Sequence, residues 1–153
     1  MLSLQQLSDR LEIQDLVYYY AHLIDTKNFD ALRETVFTED AHIDYSVFGG
    51  SVGDLESTIA YLKQAVTNEL FPDTQHLNAN VQVQLDGDTA SGRVMCFNPM
   101  DMALPDGKRH TFFLGLWYVD DYRRTEQGWR ISRRVEEKSW VFNTPEFMSF
   151  EDG

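Results

Sequence analysis

The chain has 153 residues, with 25 Asp and Glu against 13 Lys and Arg, and its formal charge of −12 opposes the phosphate attraction on which nucleic-acid binding depends. That length suits a single domain, residues 1–153, able to bury a core without disulfides or a structural metal; its one cysteine, Cys96, excludes an internal disulfide and suits a reducing, cytoplasmic compartment. Asp9, Arg10 and Glu12 interrupt the N-terminal apolar residues, unlike a signal peptide, and no stretch reaches the length of a membrane span.

From Leu4 to Ile24, apolar residues recur at helical spacing, Leu4, Leu7, Leu11, Leu16 and Leu23 among them, and predict one long amphipathic helix. A short second helix is expected over Phe29 to Phe37, with Asn28 as its N-cap and Thr38-Glu39-Asp40 as its end. Alternation of Ile43, Tyr45 and Val47 against His42, Asp44 and Ser46 predicts a strand from Ala41 to Val47, closed by the turn Gly49-Gly50. Asp54 is placed to cap a third helix carrying Leu55, Ile59, Leu62 and Val66, which Phe71-Pro72-Asp73 interrupts.

Beyond His76 the period changes. Asp86-Gly87, Pro105-Asp106-Gly107 and Glu126-Gln127-Gly128 are hairpin turn chemistries that divide residues 76–142 into four long strands. Short turns between consecutive strands demand antiparallel neighbours, and a sheet so built needs cover on one face. The expected fold is therefore α+β: a curved, cone-shaped antiparallel sheet covered by three N-terminal helices around a small-molecule pocket. Asn98-Pro99-Met100 is expected to interrupt a strand, and Met95, Met100 and Met102 to give an adaptable apolar lining. The tail from Asn143 to Gly153 reads as irregular, and its Phe147 and Phe150 could close a pocket.

This order of elements, with Asp25-Thr26-Lys27-Asn28-Phe29-Asp30, Ile43-Asp44-Tyr45, Thr74-Gln75-His76 and Gly128-Trp129-Arg130-Ile131, resembles the SnoaL-like branch of the nuclear transport factor 2 superfamily over nearly the whole chain. Within that superfamily the chain is similar to scytalone dehydratases and to hexachlorocyclohexane dehydrochlorinases. The resemblance implies a cavity in which a His/Asp pair removes a proton during an elimination. Asp25 and His76 fall on that pair, Tyr45 on a dehydratase tyrosine, and Arg134 on a dehydrochlorinase arginine. Where the dehydrochlorinases have a catalytic lysine this chain has Tyr20; where the dehydratases have a tyrosine and a second histidine it has Ile24 and Met100.

The residue chemistry agrees with such a pair. Imidazole titrates near neutrality and suits a general base, and a carboxylate on one ring N–H leaves the other nitrogen as acceptor. Strict alternation, however, puts His76 on a face with Asn78, Asn80, Gln82 and Gln84, opposite the apolar Leu77, Ala79, Val81, Val83 and Leu85; a strand that starts after His76, or a bulge, would be needed to bring it inside. Arg134 has the same difficulty of parity, and reads equally as a solvated member of the run Arg130, Arg133, Arg134 or as an oxyanion or leaving-group contact. Tyr20 and Tyr45 read as hydrogen-bond donors to substrate or as core tyrosines.

Two functions fit these residues. The first is a cofactor-independent lyase or isomerase, without metal, in which His76 removes a proton from a small, mostly apolar substrate, cyclic ones included, Asp25 orients His76, and Tyr20, Tyr45 or Arg134 stabilises the charge that develops. The second is a non-catalytic binding or assembly module like the β subunits of ring-hydroxylating dioxygenases. A carboxylate-base isomerase is a third reading, but no acid on a cavity-facing strand stands out. The resemblance also implies a homo-oligomer, dimer or trimer.

Overall fold

Ser3 starts the first helix with a reciprocal cap: its Oγ accepts from the Gln6 N–H at 3.1 Å, and Gln6 Oε1 accepts from the Ser3 N–H at 2.9 Å. The structure, a computed structural model, describes residues 1–148 and residue 150; the tail expectation at 149 and 151–153 lies outside the described residues. Helix α1 (Leu4–Asp25) buries Ile13, Leu16, Val17, Tyr20, Leu23 and Ile24. Its first turns overhang the core, so Leu4, Leu7 and Leu11, expected on the buried stripe, are exposed. Asp9 is buried there instead, bound by both Nη1 and Nη2 of Arg124 at 2.8 Å and by the Trp129 indole N–H at 3.1 Å.

α1 ends in a Schellman turn, with the Asn28 N–H on Leu23 O at 2.9 Å and the Lys27 N–H on Ile24 O at 3.1 Å. Asn28 thus serves the end of α1 and makes no side-chain cap for the next helical turn. The expected second helix is shorter than the sequence suggested: a 3-10 turn (Phe29–Ala31) and one turn of α2 (Leu32–Thr35). Thr38-Glu39-Asp40 belongs to strand β1 (Phe37–Asp44), which begins earlier than expected, and Ser46–Phe48 is a 3-10 turn rather than strand. β2 (Val52–Gly53) leads to α3 (Leu55–Ala65), capped by Asp54 Oδ1 on the Ser57 N–H at 2.8 Å.

After β3 (Asp73–Thr74) come the four long strands, β4 (Leu77–Asp86), β5 (Thr89–Ala103), β6 (Arg109–Thr125) and β7 (Gly128–Phe142), joined by the expected turns. The sheet runs β2-β1-β7-β6-β5-β3, with β4 also paired to β5. All neighbours are antiparallel except β1 and β7, whose parallel join follows from the chain crossing the sheet once between its halves. β5 is not interrupted at Pro99. A strand residue's N and O point to the same neighbour, and Pro99 O accepts the Gln75 N–H at 3.0 Å where β3 gives way to β4, so the missing donor breaks no ladder.

The core fills the concave side. Val94, Cys96, Phe112, Leu116, Tyr118 and Ile131 from the sheet pack against α1 and α3. On the outer side Trp140 lies flat over Gly115, where a Cβ would sit 2.4 Å from the indole nitrogen, and Phe97 stacks on Trp140 at 6.0 Å. Met95 faces this outer side and Met102 the core, while Met100 lines a cavity.

Candidate functional site

Both conditions set by the parity of His76 are met. β4 starts at Leu77, and its register to β5 skips between Ala79 and Gln82, so Asn80 and Val81 oppose one residue. Asn80 takes φ 46°, a left-handed conformation that Asn tolerates better than most residues. Before this bulge the even positions point inward: Asn78 donates to Val17 O of α1 at 2.8 Å, while Leu77 is exposed. After it the odd positions do, with Val83 buried.

His76 Nδ1 lies 2.7 Å from Asp25 Oδ1, and its backbone N–H donates to Oδ2 at 2.9 Å. Thr74 Oγ1 donates to Asp25 Oδ1 at 3.0 Å and accepts from Lys27 Nζ at 3.2 Å. Burial raises the Asp25 pKa, but the hydrogen bonds and charge of His76, together with Thr74, outweigh it and hold the carboxyl below its ordinary range. A carboxylate at the C-terminal end of a helix faces an unfavourable macrodipole; these donors supply what the helix does not.

His76 lines a cavity of about 320 Å³ enclosed by α1, α3, the sheet and the tail, at the small end of ligand pockets. Ile24, Phe71, Met100, Leu114 and Leu116 make it largely apolar, and Phe150, edge-on to Phe48 at 5.3 Å, closes one side as expected; Phe147 points away and is 71% exposed. Tyr20 and Tyr45 also line it, their hydroxyls 2.6 Å apart. Burial pushes Tyr20 up to about 12 and Tyr45 well above its ordinary value, so both keep their protons. A larger open groove of about 870 Å³, lined by Arg33, Glu34, Arg123 and Arg130, contains none of these residues.

Arg134 is neither solvated nor in the cavity. Fully buried, it binds Asp120 through Nε and Nη2 at 2.8 and 2.7 Å, and its guanidinium lies between the rings of Tyr20 and Tyr118, 4.2 and 4.0 Å from their centroids. Burial alone would lower its pKa, but Asp120 more than compensates and Arg134 stays charged. Its Nη1 has no partner among the described residues. Parity is again undone by a bulge: the β6–β7 register skips Ser132 and later Ser139, so Trp129 and Ile131, then Arg134 and Glu136, then Val141 face inward.

The same bulges bring in a residue that the sequence did not single out. Glu136 lines the cavity directly across the ladder from Tyr118, and burial pushes its carboxyl up to about 8 against the pull of Arg134. In the sequence it is one of two adjacent glutamates, and only the double offset, at Ser132 and Ser139, tells which points in.

A curved sheet closed by helices over a tyrosine-lined cavity with a His/Asp pair at its wall defines a small-molecule-binding architecture. Residues 5–135 match the SnoaL-like domain, and the chain belongs to that family. An uncharacterized protein of Mycobacterium tuberculosis is 49% identical over 138 residues, 90% of each chain. Two solved structures from Novosphingobium aromaticivorans are similar. One, named as an aromatic ring hydroxylase, is 32% identical with a TM-score of 0.74, covering 90% of this chain and 94% of that one. The other, named as a scytalone dehydratase, is 18% identical with a TM-score of 0.80, covering 96% and 95%, a likeness of fold.

Proposed function

We propose that the protein is a cofactor-independent lyase or isomerase in which His76 removes a proton from carbon in a small, mostly apolar substrate. The observation that carries this reading is the 2.7 Å contact of His76 Nδ1 with Asp25 at the wall of the cavity. With Nδ1–H committed to a carboxylate, Nε2 is the free acceptor, and Asp25 stabilises the imidazolium formed. The Tyr20 and Tyr45 hydroxyls stabilise charge developing on a substrate oxygen. Arg134 acts through Tyr20, fixing its ring from behind rather than touching substrate. We assign the protein to the cytoplasm, and a homo-oligomer contact to the outer sheet face, where Trp140 and Phe142 are 48% and 59% exposed.

A panel of β-hydroxyketones and their β-chloro counterparts, followed by the absorbance of the conjugated enone, tests the activity. The wild type should turn over at least one member, and His76→Ala should lose at least about 100-fold. Equal rates for the two proteins, or none for either, would remove the enzymatic reading. The other reading, a non-catalytic assembly module, draws support from the likeness to the protein named as a ring hydroxylase. It leaves the half-buried, bonded pair without a purpose, and a heteromeric partner bound through the outer face with no turnover would favour it.

A further inference from the structure

We propose that Glu136 is a second acid–base residue of this cavity, donating a proton to an oxygen of the substrate while His76 takes one from carbon, so that the substrate is an uncharged alcohol that loses water. The inference rests on the reading of His76 as the base. Glu136 projects from β7 and His76 from the chain just before β4, with β5 and β6 between them, so a bound molecule lies between the two groups.

The acids wholly buried near the core have partners, Asp9 holding Arg124 and Asp120 holding Arg134, whereas Glu136 is half-buried at the cavity wall. Glu136 has no hydrogen bond or ion pair among the described residues. Its surroundings are mostly neutral. Tyr118 on β6, Tyr20 on α1, Tyr45 after β1, Tyr61 on α3 and Cys96 on β5 are near enough to feel its charge, and all are protonated at neutral pH. Arg134, on its own strand, favours the carboxylate; burial and Asp44 at the end of β1 favour the acid and prevail. A structural carboxylate in such a place would be bonded; an unbonded, protonated one is a donor awaiting an acceptor.

The chemistry balances without a co-reactant. The C–H electron pair forms the C=C bond, the C–O bond breaks, and the oxygen takes the Glu136 proton and leaves as water. His76 then returns its proton to Glu136 through that water, and both groups are reset. A halide leaves without a proton and would need no such acid, which is why Glu136 points to an oxygen leaving group.

The test uses 2-tetralone, an uncharged ketone whose own charge does not change with pH, titrated calorimetrically into the whole protein. Wild-type affinity should be about tenfold weaker at about pH 9 than at about pH 6, because only protonated Glu136 donates to the ketone. Glu136→Gln, which keeps a neutral donor, should bind equally at both, and His76→Ala should keep the dependence. An unchanged pH dependence in Glu136→Gln, its loss in His76→Ala alone, or no binding to wild type would each overturn the proposal. Failure of His76 as base would show separately, as exchange of the ketone's α-hydrogens unaffected by His76→Ala.

Discussion

His76 meets Asp25 twice, through its ring Nδ1 at 2.7 Å from Oδ1 and through its backbone N–H at 2.9 Å from Oδ2. One carboxylate therefore fixes both the position of the residue and the tautomer of its ring. Asp25→Asn should lower kcat by about 100- to 10,000-fold with little change in KM, measured on whichever substrate the panel identifies. A change confined to KM would mean that Asp25 serves binding alone.

The same carboxyl links the site to pH. Its folded pKa is depressed from 3.8, so its stabilising effect is complete above that value and is lost as pH falls through the lower folded one. Urea denaturation of wild type and Asp25→Asn should show a stability gap near neutrality that closes in acid. A gap that is constant with pH would argue against a paired, ionised Asp25.

Lys27 occupies a left-handed position, φ 59°, where glycine is the usual residue, and from it Nζ reaches Thr74, which in turn holds Asp25. Lys27→Gly should raise stability by about 0.5–1 kcal/mol by relieving the backbone. It should also lower kcat severalfold, because Thr74 and Asp25 lose a restraint. A stabilised variant of unchanged activity would limit Lys27 to a helix terminator.

The Arg134–Asp120 pair is wholly buried, and removing one partner strands the other charge. Arg134→Met should cost about 3–5 kcal/mol in chemical denaturation, while the double variant with Asp120→Leu should recover most of it. Additive losses in the double variant would show that the two residues stabilise the fold independently.

Much of this fold could be read in the chain because turns and caps are local. The three hairpin turns and the Asp54 cap fell where Gly, Pro and Asp put them. What alternation could not supply was which face is inward beyond a bulge. Asn80, Ser132 and Ser139 each shift the pattern by one residue, and nothing in a serine or asparagine advertises it. Resemblance therefore points to His76 and Arg134 although their strand parity argues against them, and nothing in the sequence singles out Glu136. The Arg134–Asp120 bond is illegible in the sequence for another reason: it joins residues on neighbouring strands that no spacing rule pairs.

Asp9 offers a purely structural counterpart. Its bonds from Arg124 prevail over burial and, with those from Gln5 and Trp129, bring its pKa to about 2. Its contribution is complete above the ordinary 3.8 and disappears as pH falls through about 2. Asp9→Ala should destabilise the protein by on the order of 2 kcal/mol near neutrality, without altering the pH profile of turnover. A shifted profile would tie α1's N-terminal half to the site.

Proton abstraction from carbon by His76 can be read from the wash-out of α-hydrogens from 2-tetralone in deuterated water, followed by proton NMR. Wild type should accelerate exchange over buffer, and His76→Ala should return it to the buffer rate while Glu136→Gln still exchanges faster than buffer. Exchange by His76→Ala at the wild-type rate would mean that His76 is not the base.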